Sequence, residues 1–426
     1  MTMKNLTGKF CFFAFALLII LTACNEKGTG HTPKNWQWRG ENRDGAYNET
    51  GLLKVWPTEG PQLLWKYEGL GEGFTSAAIA NGKIYITGIT DDRLILYVFD
   101  LQGQLLTKKD VGQEWTKNHV GTRCSVDIND GKLYIGNSLG QLFCLDETTL
   151  NEIWKRDGIA EFGGRNIMFG MTENPLIVDD KVFMTPGGEE HGIVALNKNT
   201  GALIWSSPGV GTPSSYSSPQ YIGDQSVPMV ITYLSGPQQP GRVHDNTLMA
   251  LNANTGEMLW QHEERSGNPI TPNTPLYYKG MILSITGYGG GAWQYRLKDG
   301  GKTAELVWHN SEIDNQMGGV VKIGDYLYAG GHNNNNWFCV DWKTGETKYK
   351  VRDIGRGITI TADGMLYVYS ERDGTMNLVK PNPDKFELVS SFKVTMGTGP
   401  HWAHPIIHNG VLYLRHGDAL MAYKIK

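Results

Sequence analysis

Two sets of side chains recur ahead of a repeated hairpin, and they are where chemistry could gather. Immediately before the first strand of each copy stand Ser76, Ser125, Asn174, Ser218, Thr274, Gly319, Ile358 and His404. Two positions earlier stand Phe74, Arg123, Thr172, Tyr216, Pro272, Met317, Arg356 and Trp402. The first set is mostly small hydroxyls, which suit hydrogen-bonded turns. The second could converge on a narrow axis. There its guanidinium groups would match a carboxylate or phosphate, and its rings would stack on a planar body. Phe74, Arg123, Tyr216, Arg356, Trp402 and His404 are therefore the candidate binding residues. The alternative is that the same side chains merely plug the axis.

Other chemistry is weaker. Neither set contains Asp or Glu; Glu173 and Asp314 only lie beside them, so no catalytic residue is assigned. The acid pairs Asp91-Asp92, Asp179-Asp180, Glu189-Glu190 and Glu263-Glu264 fall near turns or outer strand ends. Adjacent strand residues face opposite ways, which rules out a carboxylate pair acting together. His401, His404 and His408 have spacing that invites a metal, but in extended chain His401 faces away from the other two, and no metal site is expected. The runs GYGGGAW from Gly287 and HNNNNWF from His332 read as hairpin tips, with no helix to make a phosphate loop.

The elements that must position these residues form a repeat. AAIANGKIYI from Ala77, SVDINDGKLYI from Ser125 and PLIVDDKVFM from Pro175 share one pattern, as do segments from Pro275, Val320, Thr359 and Pro405; a weaker copy starts at Pro219. From Tyr85 to Tyr413 the eight copies are spaced about 47 residues apart. Asn-Gly, Asp-Gly and Lys-Gly between alternating runs predict tight hairpin turns. A second hairpin follows in VALNKNTGALIW, MALNANTGEMLW and FCLDETTLNEIW. Two hairpins per unit make a four-stranded antiparallel blade, and eight units predict an all-β, eight-bladed propeller. The last copy has only three strands, so the strand in GPQLLWKYEG, with Trp65, is expected to complete it and remove two raw sheet edges. Trp65, Trp154, Trp205, Trp260, Trp308 and Tyr349 then read as packing between blades. Trp115, Trp293, Trp337 and Trp402 lie outside that slot and are the better candidates for a surface or channel role. Cys144 and Cys339 share one repeat slot on opposite sides of the ring, too far apart for a disulfide, and read as small buried residues.

The run A-L-[ND]-x-x-T-G-x-x-x-W resembles the tryptophan-docking motif of propellers with pyrroloquinoline-quinone-like repeats, and WQWRGENRDG from Trp36 resembles the start of many secreted members. The resemblance implies eight blades bridged by Trp. It also implies one of two roles: a lipid-anchored scaffold such as the propeller serving outer-membrane β-barrel assembly, or a quinone-dependent alcohol dehydrogenase. The second would bring pyrroloquinoline quinone with calcium and two adjacent cysteines over it, and this chain has no Cys-Cys pair. A binding or scaffolding module is the favoured reading, with quinone oxidoreduction, or carbohydrate or peptide recognition at the channel mouth, as rivals.

Glycine contributes 54 of 426 residues, well above the usual roughly 7%, as many tight turns require. The net charge of −4 and the absence of a basic stripe exclude a nucleic-acid binder. Lys4 and Lys9, the apolar run from Phe10 to Ile20, and Leu21-Thr22-Ala23-Cys24 resemble a bacterial lipoprotein leader with Cys24 acylated; the apolar run is too short to span a bilayer. The expected organisation is a leader over 1–23, a tether and N-terminal extension over 24–61, and the propeller over 62–426. The chain is expected to be a monomer held to the envelope of a Gram-negative-type bacterium, at the outer membrane, by its lipid alone. Its partner would be an envelope protein or a small anionic or planar ligand.

Overall fold

The hairpins between the two innermost strands of a blade turn where the sequence places Asn-Gly or Asp-Gly. Asn81 and Gly82 have φ of 50° and 75°, and Asn409 and Gly410 have 50° and 72°, the left-handed pair that a two-residue turn between twisted strands requires. These turns organise eight sheets in a computed structural model that describes residues 1–2, 34–210, 213–235, 244–268, 270–316, 319–333 and 335–426. Cys24, with the expected leader and the polar tether over 25–33, lies outside the described residues. So do Met317 of the second set and most of the loop from Ser235 that the sequence marks as a long excursion.

The third blade shows the pattern: Leu176–Val178, Lys181–Met184, Ile193–Asn197 and Leu203–Ser207 pair in antiparallel order from the inside outward. In the eighth blade, Ile406–His408, Val411–His416 and Ala419–Lys424 are completed by Gln62–Glu68, which pairs antiparallel with the last of them. The protein is thus an all-β propeller of eight four-stranded antiparallel blades closed by its N-terminal strand. In every blade the register between the two outer strands shifts by a bulge beside the tryptophan slot. A bulge bends the strand and re-aims the side chain beside it.

That side chain bridges to the next blade. Trp154 Nε1 donates to Lys198 O at 3.0 Å, Trp205 Nε1 to Ala253 O at 3.1 Å, and Trp308 Nε1 to Trp342 O at 3.1 Å. Trp65 reaches Leu101 O and Trp260 reaches Gly301 O in the same way. Beneath each ring of the first kind is the glycine of the neighbour's Thr-Gly turn: a Cβ on Gly201 would meet Trp154 at 2.8 Å, and one on Gly256 would meet Trp205 at 2.5 Å. The glycine is there to receive the indole. Tyr349 occupies the sixth slot, opposite Cys339, but its buried hydroxyl has no hydrogen-bond partner among the described residues. Cys124, Cys144 and Cys339 are all buried and free. Trp115, Trp293 and Trp337 are buried in packing contacts as well, so of the four outlying tryptophans only Trp402 reaches the channel. His401 stacks on His416 at 3.7 Å, away from His404, and no cluster of metal-ligating residues forms among the described residues.

Ser390 stands in the tryptophan slot of the seventh blade, opposite Leu378. The missing indole comes from the extension. Trp56 N donates to Ser390 Oγ at 3.0 Å, and its buried ring packs on Phe392 and Tyr367 at 5.3 and 5.9 Å. Further upstream the extension crosses the channel. Trp36 makes reciprocal backbone bonds with Ile128 of the second blade, and Trp38 N donates to Asp127 Oδ1 at 2.9 Å. Arg43 donates to the carbonyls of Asn174 and Pro175, and Arg39 to that of Val320 on the sixth blade. Ala46–Tyr47 then adds a parallel strand to the innermost strand of the seventh blade. From Trp36 to Tyr47 the chain is a strap laid across the inner strands.

One carboxyl is sealed between the fourth and fifth blades. Glu264 is fully buried, accepts a 2.7 Å bond from Tyr233 Oη and is also bonded by Ser284 Oγ. Burial pushes its pKa up to about 7, against the lowering effect of these donors.

Two outcomes test this packing. Trp56→Ala should lower the unfolding free energy about as much as Trp205→Ala, by about 3–5 kcal/mol each, as loss of a buried aromatic does, and shift the denaturation midpoint accordingly. An unmoved midpoint for Trp56→Ala would mean that the extension bridges nothing. Because the folded state holds the Glu264 proton to higher pH than the unfolded chain does, that group's stabilisation is complete below the ordinary carboxylate range. It is lost as pH rises from about 4.5 through about 7, on the order of 3 kcal/mol at most. Glu264→Gln should flatten that part of a stability–pH curve measured by thermal melts between pH 5 and 8.

Candidate functional site

The connections that lead into the inner strands end around one cavity of about 360 Å³ at the mouth of the channel. Phe74, Arg123, Thr172, Tyr216, Pro272, Arg356 and Trp402 all line it, so every described member of the second set converges there. From the first set only Asn174, Ser218 and His404 reach it, at its floor. All six candidate binding residues therefore face one space.

The wall is mainly aromatic. The rings of Phe74 and Trp402 lie 5.0 Å apart, His119 meets Trp402 edge-on at 5.0 Å, and Phe169 sits between His119 and Tyr216 at 5.5 and 6.2 Å. Tyr288 and His332 close the far side, 5.3 Å apart. The two arginines flank the Trp402–Phe74 pair in ring order, on the seventh and second blades, and their environments differ. Arg356 Nε lies 3.2 Å from Glu371 Oε2, while Trp402 Nε1 donates to Glu371 Oε1 at 3.0 Å. Arg356 Nη1 also donates to His332 Nδ1 at 2.7 Å. Arginine can only donate, so that ring is neutral with its proton on Nε2. Burial and the Arg356 charge both hold the His332 pKa below its usual value.

Arg123 has no carboxylate contact among the described residues. Its terminal nitrogens donate to the carbonyls of Gly121, Asn118 and His119, and its guanidinium lies 5.9 Å from the centre of the Phe74 ring. It pins its own loop and leaves a positive charge at the cavity wall. Glu371 pairs directly with one guanidinium, whereas Arg123 forms no salt bridge among the described residues and is attracted only at longer range by the buried Glu114, so the wall keeps a net positive character. A planar body with a single negative charge matches that wall.

The floor comes from the strap. Trp38 lines the cavity and packs edge-on against His404 at 5.0 Å; Arg39 Nη1 is 3.2 Å from His404 Nδ1. The two aligned sets contain no carboxylate, but Glu371 reaches the site from the turn between the strands Met365–Ser370 and Thr375–Val379. Tyr288 and His332 arrive from the two segments read as plain hairpin tips. Trp38 belongs to the N-terminal extension, in the WQWRGENRDG run that resembles the start of secreted members, and nothing in that resemblance pointed to the cavity. Glu173 points into the small cavity beside Cys124 and accepts a bond from Thr185 N, and both Asp314 oxygens accept backbone bonds from Gly289 and Asn333. Neither acid faces the channel mouth.

Calcium with a quinone would need a shell of six to eight oxygens including carboxylates. The single carboxylate of the cavity is committed to Arg356 and Trp402. Beside it the Asn174 oxygen already accepts from Ser125 N at 2.6 Å and the Thr172 hydroxyl donates to Tyr216 O, so one paired carboxylate and a few neutral oxygens are what the described lining offers. The described side chains fit the planar body of such a group and do not fit its metal.

Comparison with known proteins agrees with the architecture. The chain is 25% identical over 296 residues to quinoprotein ethanol dehydrogenase of Pseudomonas putida, covering 62% of this chain and 46% of that protein. It is 23% identical over 332 residues to the Pseudomonas aeruginosa enzyme of the same name, covering 65% and 52%. The chain thus spans about half the length of these relatives. Among solved structures, BamB from Moraxella catarrhalis superposes with a TM-score of 0.60 at 14% identity over 85% of this chain and 99% of that one. The quinohemoprotein alcohol dehydrogenase ADHIIG of Pseudomonas putida HK5 does so with 0.64 at 14% identity, over 92% and 80%. The family described as outer membrane protein assembly factor BamB matches residues 91–230 and 229–382, more than half of the sequence, and the chain belongs to that family.

Proposed function

We propose that this protein is an envelope-bound recognition module that holds a planar, singly anionic small molecule at the mouth of its channel. The observation that carries the reading is the cavity itself: the tilted ring pair of Phe74 and Trp402 between two guanidiniums, only one of which is in a salt bridge among the described residues. Binding is favoured over turnover because Glu371, the one carboxylate among the described lining residues, is ion-paired with Arg356 and bonded by Trp402, the place of a structural partner rather than of a free general base.

The family resemblance supports placement at the outer membrane of a Gram-negative-type bacterium, with Cys24 as the lipidated residue and an envelope protein as partner. In that setting the ligand would act on what the propeller docks to. The quinoprotein relatives favour a second reading, in which the pocket keeps the planar portion of a quinone without its calcium. Both readings call for the same ring-stacking wall.

Calorimetric titration with 2-naphthoate and its neutral isostere 2-naphthamide tests the proposal. Naphthoate should bind roughly tenfold more tightly than the amide, the scale of one favourable charge contact. Trp402→Ala should weaken both by about tenfold, as loss of a stacking face does, and Arg123→Gln should narrow the gap between them. Equal affinities, or binding that ignores Trp402, would overturn it.

A further inference from the structure

We infer that the strap over residues 36–47 is a ligand-linked floor: occupation of the cavity and docking of the strap stabilise each other, with Trp38 touching the ligand and Arg39 acting as its positioning residue. The inference rests on the binding reading above and adds a second, mobile component to the site.

Three observations lead there. First, the strap belongs to the cavity as well as to the fold. Trp38 is part of the lining, His404 is bonded by Arg39, and Asn174 carries the carbonyl to which Arg43 donates. Three of the four floor residues are therefore the strap or are held by it. Second, between the packed rings of Trp36, Trp38 and Tyr47 the strap is secured by polar contacts to backbone. Arg39 and Arg43 are both almost wholly buried, and each spends donors on main-chain carbonyls. Removing two guanidiniums from water offsets much of what those bonds contribute. Third, the backbone is strained where they enter. Arg39 and Arg43 have φ of 63° and 56°, a region that side-chain-bearing residues adopt at a cost. A Cβ on Gly45 would come within 2.8 Å of Arg39 Nη2, so the guanidinium fits only because that position is glycine.

A segment that buries two guanidiniums and holds strained dihedrals between its aromatic anchors opens more readily than the sheets around it. A ligand that touches only the docked state must favour docking, and the docked strap must favour the ligand by the same factor. An indole below and the Phe74–Trp402 pair above would enclose a planar molecule, and an undocked strap would leave the channel open beneath it.

The strap carries its own reporter, because trypsin can cut after Arg43 only when that side chain leaves the channel. Arg415, fully buried in the eighth blade, reports opening of the propeller as a whole. With the full chain, mass-spectrometric timing should show cleavage after Arg43 well ahead of cleavage after Arg415, and saturating 2-naphthoate should slow the first by roughly tenfold, the size of a modest coupling. Trp38→Ala should weaken naphthoate by a similar factor while Trp38→Phe restores most of it. Arg39→Gln should speed cleavage after Arg43 and weaken naphthoate together, without moving the Arg415 cut. If naphthoate binds in a Trp402-dependent way but leaves Arg43 cleavage unchanged, the linkage is wrong and the cavity reading stands. If Arg43 and Arg415 are cut at the same rate, no local opening exists and the inference fails. If naphthoate shows no Trp402-dependent binding, the cavity reading falls and takes this one with it.

Discussion

An indole laid over the glycine of the next blade's turn is the contact on which the rest depends. Blades touch only their neighbours, so the angle between two sheets is set by what fills the wedge between them. Trp154 on Gly201 and Trp205 on Gly256 fix that angle with a ring, a hydrogen bond and a missing Cβ at once. Eight such angles must add up to a closed turn, and only a closed turn brings the loops before the inner strands to a common axis. The cavity is in this sense a product of the periphery: Trp402 and Arg356 meet Phe74 and Arg123 because the outer rim is correctly spaced.

Most of this architecture was legible because each device is local in sequence. A left-handed pair such as Asn81-Gly82 announces its hairpin, and T-G-x-x-x-W places the glycine and the indole a fixed distance apart although they serve different wedges. The six candidate residues could be located for the same reason, since counting back from a repeated strand finds its channel-facing neighbour. What stayed hidden comes from contacts without a period. Trp56 substitutes for Ser390 across more than three hundred residues, Trp38 crosses the axis from outside the repeat, and Glu371 reaches the cavity from a turn whose counterparts elsewhere do not. No alignment of copies reveals a residue that appears once.

The charges at the site follow from which side chains already have partners. Two arginines suggested a strong grip on an anion, but one is held by Glu371 and the other by the carbonyls of its own loop. The result is a weakly positive, ring-lined space, better suited to stacking than to holding a hard cation. Assembly factors and quinone enzymes both stand among the proteins this chain resembles, so the scaffold alone does not set the role. Here the arginine donors are largely engaged in holding loops and Glu371.

The joining of Gln62–Glu68 to the eighth blade also bears on how the molecule is made. Gln62–Glu68 is synthesised before any complete blade, and its partner Ala419–Lys424 follows more than three hundred residues later. Until both exist the ring has unpaired edges, and pairing across so long a separation is slow. A nascent polypeptide of this kind cannot close its ring before that later strand is made, which leaves the propeller open through most of its synthesis.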